Sequence, residues 1–172
     1  MDVLDVGCGP GTMLAYLPQP RSYLGLDSNP RYIEACVQRY KSPYQFEVAD
    51  IAPAAPILAA RFDVSRFDVA IASGVLHHLS DDASVRMLRN VLAALRPGGR
   101  LVTLDGAYRS GQPYLARLLN QLDRGQFVRT DEKYAALARS VFSDVKIFDY
   151  CGKLVVPISH CVMVCVKPAA IV

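Results

Sequence analysis

Short apolar runs alternate with segments of helical periodicity along most of the chain. The runs predict strands at residues 3–6, 22–26, 44–48, 67–72 and 100–105. Helical spacing follows at 12–17, 31–40 and 80–95. Such alternation predicts an α/β domain, in which helices cover both faces of a mostly parallel sheet. Two further apolar runs, 144–150 and 160–167, flank Cys151-Gly152 and predict an antiparallel hairpin.

Two segments depart from this alternation. Residues 51–60 are low in complexity and carry Pro53 and Pro56, which predicts a loop. Residues 106–141 are polar and aromatic, and their leucines and alanines recur at helical spacing around Leu118 and again around Leu137. We therefore expect one domain over residues 1–172, with a helical insert at about 106–141 as a candidate substrate lid.

Composition and charge narrow the class of protein. At 172 residues, with 52% hydrophobic and 20% charged residues, the chain is long and apolar enough for a folded core. The net charge of +3 comes from scattered residues, which argues against a nucleic-acid partner. The high share of apolar residues instead indicates a surface for a partner chain, a homo-oligomer or an apolar substrate.

The cysteines and the chain ends indicate in which cellular compartment the protein is expected. Five cysteines without a C-x-x-C pair argue against both a disulfide framework and a zinc ribbon. Cys161 and Cys165, four residues apart in a predicted strand, are expected to pack in the core, so no metal site is predicted. No signal peptide or membrane span is predicted, and we expect a cytoplasmic protein.

Three glycines follow directly on the first predicted strand. Gly7, Gly9 and Gly11 allow a tight loop and close approach of a ligand, and a helical pattern then begins at Thr12. In parallel sheets, ligands bind at the carboxyl ends of the strands. The sequence places glycines, acids and histidines at those ends, which predicts a nucleotide-type site there.

The spacing of this loop separates the candidate ligands. A dinucleotide fingerprint would place its third glycine where Thr12 stands, and no P-loop lysine follows. Asp27, twenty residues beyond Gly7, can accept both hydroxyls of a ribose, and Asp50 can accept the amine of an adenine. An adenosine without a pyrophosphate fits best. An NAD-dependent enzyme stays an alternative that ligand binding would decide.

These residues form part of a longer series of motifs. In order, residues 3–11, 25–27, 49–51, 67–79 and 95–99 resemble the successive motifs of class I S-adenosylmethionine-dependent methyltransferases of the small-molecule type. The resemblance implies a Rossmann-like, doubly wound sheet of seven strands, mostly parallel with the last strand antiparallel. It also implies that the cofactor is S-adenosylmethionine, and it assigns the cofactor-binding residues Asp5, Gly7, Cys8, Gly9, Gly11, Asp27, Ser28, Asp50, Ile51, Ser73 and Gly74.

The resemblance assigns each group of these residues to one part of the cofactor. The glycine loop, with Cys8 as its packing residue, would lie under the methionine portion, and Asp5 would help to hold its amino acid end. Asp27 with Ser28 would face the ribose and Asp50 with Ile51 the adenine. Ser73 and Gly74 would close the far side.

Two histidines follow the fourth predicted strand. His77 and His78 would lie near the activated methyl group, where a base is needed if the acceptor is a hydroxyl. The other interpretation is that they order the loop and wall off the cofactor. Both roles stay open, and His78 is the candidate catalytic residue.

The resemblance also has a departure, because family members usually place helices before the first strand, and here that strand begins at Asp2. Either the insert is the only lid, or a partner chain or an N-terminal segment supplies the rest. The predicted function is methyl transfer from S-adenosylmethionine to a small-molecule acceptor, by O-methylation. The alternative is a cofactor-binding module without independent activity.

Overall fold

The computed structural model describes residues 1–50, 65–112, 117, 126–150 and 159–169. Within these residues one sheet runs through the molecule in the order β3-β2-β1-β4-β5-β8-β7, and a two-residue β6 pairs with the end of β5. The strands are β1 (Asp2–Val6), β2 (Ser22–Asp27), β3 (Tyr44–Val48), β4 (Phe67–Ser73), β5 (Leu95–Tyr108), β6 (Arg129–Thr130), β7 (Asp144–Tyr150) and β8 (His160–Val166).

The strand directions confirm the predicted fold class. The pairs β1–β2, β2–β3, β1–β4 and β4–β5 are parallel. The last strand, β8, is antiparallel to both of its neighbours, β5 and β7. The order of connection reverses between β1 and β4, and the ends of these two strands therefore form the crevice in which doubly wound sheets bind ligands.

Helices flank this sheet: α1 (Pro30–Arg39), α2 (Asp81–Ala94) and α3 (Asp131–Arg139). Asn29 caps α1 by accepting a hydrogen bond from the Arg31 amide, and Ser80 caps α2 by accepting one from the Ala83 amide. The predicted helix at 12–17 is a 3₁₀ helix over Thr12–Tyr16. Pro18 and Pro20 leave it too little length for an α-helix.

The fifth strand is longer than predicted. It begins at Leu95, which pairs with Phe67, and a register shift after Phe67 absorbs the Pro97-Gly98-Gly99 segment. At its other end β5 continues past Ser73 of β4, whose partner is Leu104, as far as Tyr108. Because of this overhang, Asp105 and Tyr108 reach beyond the edge at which β4 ends.

Two cores lie on opposite faces of the sheet. The larger packs alternate strand residues, such as Leu4 and Leu24, against α2 and α3. The smaller packs Val3 and Tyr23 against α1. Cys161 and Cys165 are buried in the larger core, which confirms the packing role predicted for them.

Several predicted features fall outside the described residues: the loop at 51–60, the helix around Leu118, the Cys151-Gly152 turn and the cofactor contact of Ile51. The second helix predicted in the insert is confirmed as α3, with Tyr134 and Ala138 buried. Among the described ranges, no helix has the length and apolar character needed to cross a membrane.

Candidate active site

The glycine loop turns sharply at the end of β1. The amides of Gly7 and Cys8 both donate to the Leu26 carbonyl, at 2.7 and 3.0 Å, which fixes the loop against β2. Gly9 has a φ of +52°, and a Cβ built there would meet no atom of the described residues within 4 Å. The loop therefore presents bare backbone to an open space, which is the geometry for close approach of a ligand.

Asp27 ties this loop to the start of α1. One carboxylate oxygen accepts the Gly9 amide at 2.8 Å, and the other accepts the Asn29 amide at 2.8 Å. Each carboxylate oxygen can accept more than one hydrogen bond. The side chain is therefore held in place by the backbone and retains acceptor capacity for the two hydroxyls of a ribose.

A first cavity of about 510 Å³ opens on this carboxylate. The predicted residues that line it are Gly7, Gly9, Asp27, Ser28, Asp50, Gly74 and His78. The sequence analysis missed Leu26, Asn29, Tyr32, Ala49, Val75 and Leu79. Most of these missed residues directly adjoin a predicted one in the sequence, so the rule that ligands bind at strand ends would have included them.

A second cavity of about 340 Å³ lies on the other side of the glycine loop. Asp5, Cys8 and Ser73 line it, and Gly7 and Gly9 border both cavities. The sequence analysis did not assign Pro10, Thr12, Met13 and Tyr16, which complete its wall. A ligand that follows the loop across Gly7 and Gly9 would occupy both cavities.

Gly11 borders neither cavity, as the described residues outline them. A Cβ at this position would lie 2.9 Å from the Tyr40 ring and 3.1 Å from the Cys36 sulfur. The Tyr40 hydroxyl also donates to the Gly11 carbonyl at 3.0 Å. In the structure, Gly11 thus lets α1 pack closely beneath the loop, and a cofactor contact at this residue stays a prediction.

Cys8 has its side chain below the loop. The thiol is buried, contacts the Gly9 carbonyl at 3.6 Å, and has its pKa raised by that burial. A buried neutral thiol is a packing group and a poor nucleophile.

Asp5 is a buried carboxyl group beside the second cavity. It is 2% exposed, and the Tyr23 hydroxyl donates to its Oδ2 at 2.5 Å. Burial raises the pKa of Asp5 to about 6; the bond from Tyr23 opposes this rise, and the charge of Asp27 adds to it. The sequence analysis assigned Asp5 to the cofactor but did not identify Tyr23.

The two histidines have different environments. His77 is buried; its Nδ1 lies 2.8 Å from Oδ1 of Asp105, and its backbone amide also donates to that oxygen. His78 is exposed and lines the first cavity, with its ring centroid 4.1 Å from that of His77. His77 therefore anchors the loop after β4 to β5, and His78 is the histidine that a ligand can reach.

Arg129 also binds the loop after β4 that contains the two histidines. Its five N–H groups donate to the Asp81 carboxylate, twice, and to the carbonyls of Leu76, Leu79 and Phe127, at 2.6–2.9 Å. The Phe127 amide in turn donates to the His77 carbonyl at 2.9 Å. No signal in the sequence distinguishes this buried arginine from the other basic residues. The wall of the first cavity is therefore clamped to residues 127–129, which lie within the insert.

The sheet order, the glycine loop and the placement of Asp27 define the class I methyltransferase architecture. A model of a methyltransferase domain matches residues 4–101, more than half of the chain. The chain belongs to this methyltransferase family, whose cofactor is S-adenosylmethionine.

Relatives and solved structures agree with this assignment. The chain is 38% identical over 109 residues to phthiotriol/phenolphthiotriol dimycocerosates methyltransferase of Mycobacterium leprae, a match that covers 60% of the chain and 37% of that protein. It is 34% identical over 153 residues to the O-methyltransferase aclM of Aspergillus oryzae, covering 79% of the chain and 34% of the relative. The chain thus spans about a third of the length of these two curated relatives.

Among solved structures, human N-acetylserotonin methyltransferase in complex with S-adenosylmethionine superposes with a TM-score of 0.72. The sequences are 19% identical, and the match covers 98% of this chain and 48% of the human chain. At that identity the likeness concerns the fold. It confirms that the whole described sheet has the arrangement of this class.

The described residues fit this cofactor. Gly9 leaves open the space that a side chain would fill, and Asp27 presents a carboxylate held by two backbone amides. The two cavities meet at Gly7 and Gly9, as a ligand with a nucleoside end and an amino acid end requires. The geometry and the family therefore agree on one ligand.

Proposed function

We propose that this chain transfers a methyl group from S-adenosylmethionine to a hydroxyl of a small-molecule acceptor. The observation that carries the proposal is the pair of cavities that meet at Gly7 and Gly9, one opening on Asp27 and the other on Asp5 and Ser73. When bound, S-adenosylmethionine supplies an activated methyl group on a sulfonium. The protein's task is then to bind, align and exclude water.

The roles of the residues follow from their positions. Asp27 and Ser28 hold the ribose, and Asp50 at the end of β3 faces the adenine in the first cavity. Gly7 and Gly9 give the sulfonium a close backbone surface. Asp5 attracts the ammonium of the amino acid end in the second cavity, where its negative charge is complementary.

We place the acceptor next to the second cavity. Met13, Tyr16 and Pro10 give that cavity an apolar wall, and Tyr16 is 79% exposed at its rim. An apolar acceptor would cover this surface and present its hydroxyl toward Ser73. The similarity to an O-methyltransferase supports oxygen as the methylated atom.

Calorimetry and a transfer assay together test this function. S-adenosylhomocysteine should bind with one site per chain, and labelled methyl should pass to a hydroxyl of an apolar small molecule in an acceptor panel. The second candidate is a binding module that needs a partner chain or a further segment, because the exposed Tyr16 is a surface that such a cover would bury. Tight binding with no transfer to any acceptor would favour that candidate, and NAD binding in place of S-adenosylhomocysteine would overturn both.

Asp27→Ala should weaken the binding of S-adenosylhomocysteine by about 1.5–3 kcal/mol, the range for hydrogen bonds to a charged group. Asp27→Asn keeps one acceptor oxygen but turns an NH₂ donor toward the Gly9 or the Asn29 amide, so it should also weaken binding. The matched control is Asp82→Ala, because Asp82 is exposed in the first turn of α2, away from both cavities. Calorimetry measures all three variants; equal affinity of Asp27→Ala and wild type would refute the ribose assignment.

His78→Gln tests the base role. As the base, His78 would take the proton of the acceptor hydroxyl, so kcat should fall by roughly 10²–10⁴ while the cofactor Kd is unchanged. A weaker Kd with a normal kcat would assign His78 to the wall of the cofactor cavity instead. Single-turnover rates and calorimetry on the same preparation distinguish the two results.

A further inference from the structure

Tyr23 reaches Asp5 along the face of the sheet that packs against α1. In the register of β1 and β2, Asp5 lies beside Gly25, and Tyr23 is two residues earlier on the same face. A Cβ at Gly25 would lie 2.9 Å from the Cys8 sulfur and 2.7 Å from the Phe46 ring. The absent side chain at Gly25 therefore leaves room for this crowded cluster, within which the Tyr23 hydroxyl bonds Oδ2 of Asp5 at 2.5 Å.

Among the described residues, the titratable groups around Asp5 are neutral or negative. The titratable groups that face it are Tyr23 on β2, Asp27 at the end of β2, Cys8 in the glycine loop and Cys36 on α1. Burial is the main cause that raises the pKa values of Tyr23, Cys8 and Cys36, so these groups are neutral at neutral pH. Every charge in this set is negative, and a cation in the second cavity is the complement that the carboxylate needs.

We propose that Tyr23 is a positioning residue for the cofactor: its hydroxyl holds one oxygen of Asp5 and leaves the other for the ammonium group in the second cavity. The inference rests on the proposed function and adds a residue to it. Tyr23 is 1% exposed and borders neither cavity as described, so it acts through Asp5 and not by touching the ligand.

The sign of the pH dependence follows from the charge that binds. An ammonium group binds ionised Asp5 and not the protonated carboxyl, so cofactor affinity should rise as pH increases through about 6. The bond from Tyr23 favours the ionised form and lowers the pKa of Asp5. Removing that bond should move the rise in affinity to a higher pH.

Tyr23→Phe removes only the hydroxyl. Calorimetry with S-adenosylhomocysteine from pH 5 to 9 should show the midpoint of the affinity rise shifted upward by about one unit. At pH 6 the variant should bind roughly fivefold more weakly, and the difference should narrow above pH 8. The matched control is Tyr44→Phe, because Tyr44 packs edge-on against Tyr23 at 6.2 Å in the same core. This control should leave the midpoint unchanged.

Asp5→Asn completes the test, because it should bind weakly with no step near pH 6. A merely structural role for Tyr23 would lower the Tm of Tyr23→Phe and leave the midpoint where it is, and that result would overturn the inference. If the wild type failed to bind S-adenosylhomocysteine at every pH, the proposed function and this inference would both fall. Wild-type binding with equal midpoints in wild type and Tyr23→Phe would remove the role of Tyr23 alone.

Discussion

Gly9→Val should abolish measurable binding of S-adenosylhomocysteine while the chain remains folded. The new side chain would enter the open space over the glycine loop, where a Cβ meets no described atom within 4 Å. That space is where we propose that the cofactor contacts the backbone. Overfilling a well-packed site costs about 3 kcal/mol or more, which corresponds to a loss of over a hundredfold in affinity.

Valine at Gly9 also carries backbone strain, because φ is +52° there. Gly98→Val is the matched control: its φ is +76°, a Cβ meets no atom of the described residues within 4 Å, and it lies at the start of β5, away from both cavities. Both variants should lose a similar amount of thermal stability, and Gly98→Val should bind the cofactor normally. Equal binding by the two variants would show that nothing approaches Gly9.

Arg129→Ala should lower the free energy of unfolding by about 3 kcal/mol and weaken cofactor binding as well. The substitution removes all five hydrogen bonds of Arg129. The carbonyls of Leu76 and Leu79 keep one donor each, the Leu79 amide and the Ser84 hydroxyl, whereas the Phe127 carbonyl loses the donor that Arg129 supplies. A lost hydrogen bond costs about 0.5–1.5 kcal/mol, and a buried group left unsatisfied about 1–3 kcal/mol. The partner Asp81 is 74% exposed and is rehydrated at little cost. Binding suffers because Leu79, one of the clamped residues, lines the first cavity.

Two variants make this result specific to the clamp. Arg96→Ala breaks the Arg96–Asp68 pair, in which the arginine side chain is 59% exposed, and should cost under about 1 kcal/mol. Arg129→Lys keeps the positive charge but lacks the planar fork of five donors, so it should recover only part of the loss. Urea denaturation and hydrogen exchange at residues 76–79 measure the effect. Unfolding curves for Arg129→Ala that match those of Arg96→Ala would contradict it.

The parts of the site that depend on local sequence were predictable. The glycine loop, Asp27 and Asp50 each follow directly on an apolar strand, and parallel topology gathers strand ends at one edge. The caps Asn29 and Ser80 were predictable for the same reason, because capping depends on a few consecutive residues. The mostly parallel sheet and its antiparallel last strand, β8, followed from the family resemblance and the hairpin pattern.

The parts that depend on distant contacts were not predictable. Arg129 meets Leu76 and Asp81 across a separation of about fifty residues in the sequence. In the sequence, Tyr23 looks like an ordinary core aromatic residue of a strand. Its hydrogen bond to Asp5 becomes visible only when the pairing of β1 with β2 is known. The extent of β5 also depended on pairing, because Leu95 joins the strand through Phe67 across a register shift.

The two cavities share Gly7 and Gly9 in their walls, and this arrangement has a consequence for ligand fragments. An adenosine and a free amino acid could each occupy one side without displacing the other. In the intact cofactor the sulfonium links these two parts covalently. Once one part is bound, the other binds intramolecularly, at an effective concentration set by the linkage. The affinity of this site for an intact ligand therefore depends on the two cavities meeting at Gly7 and Gly9.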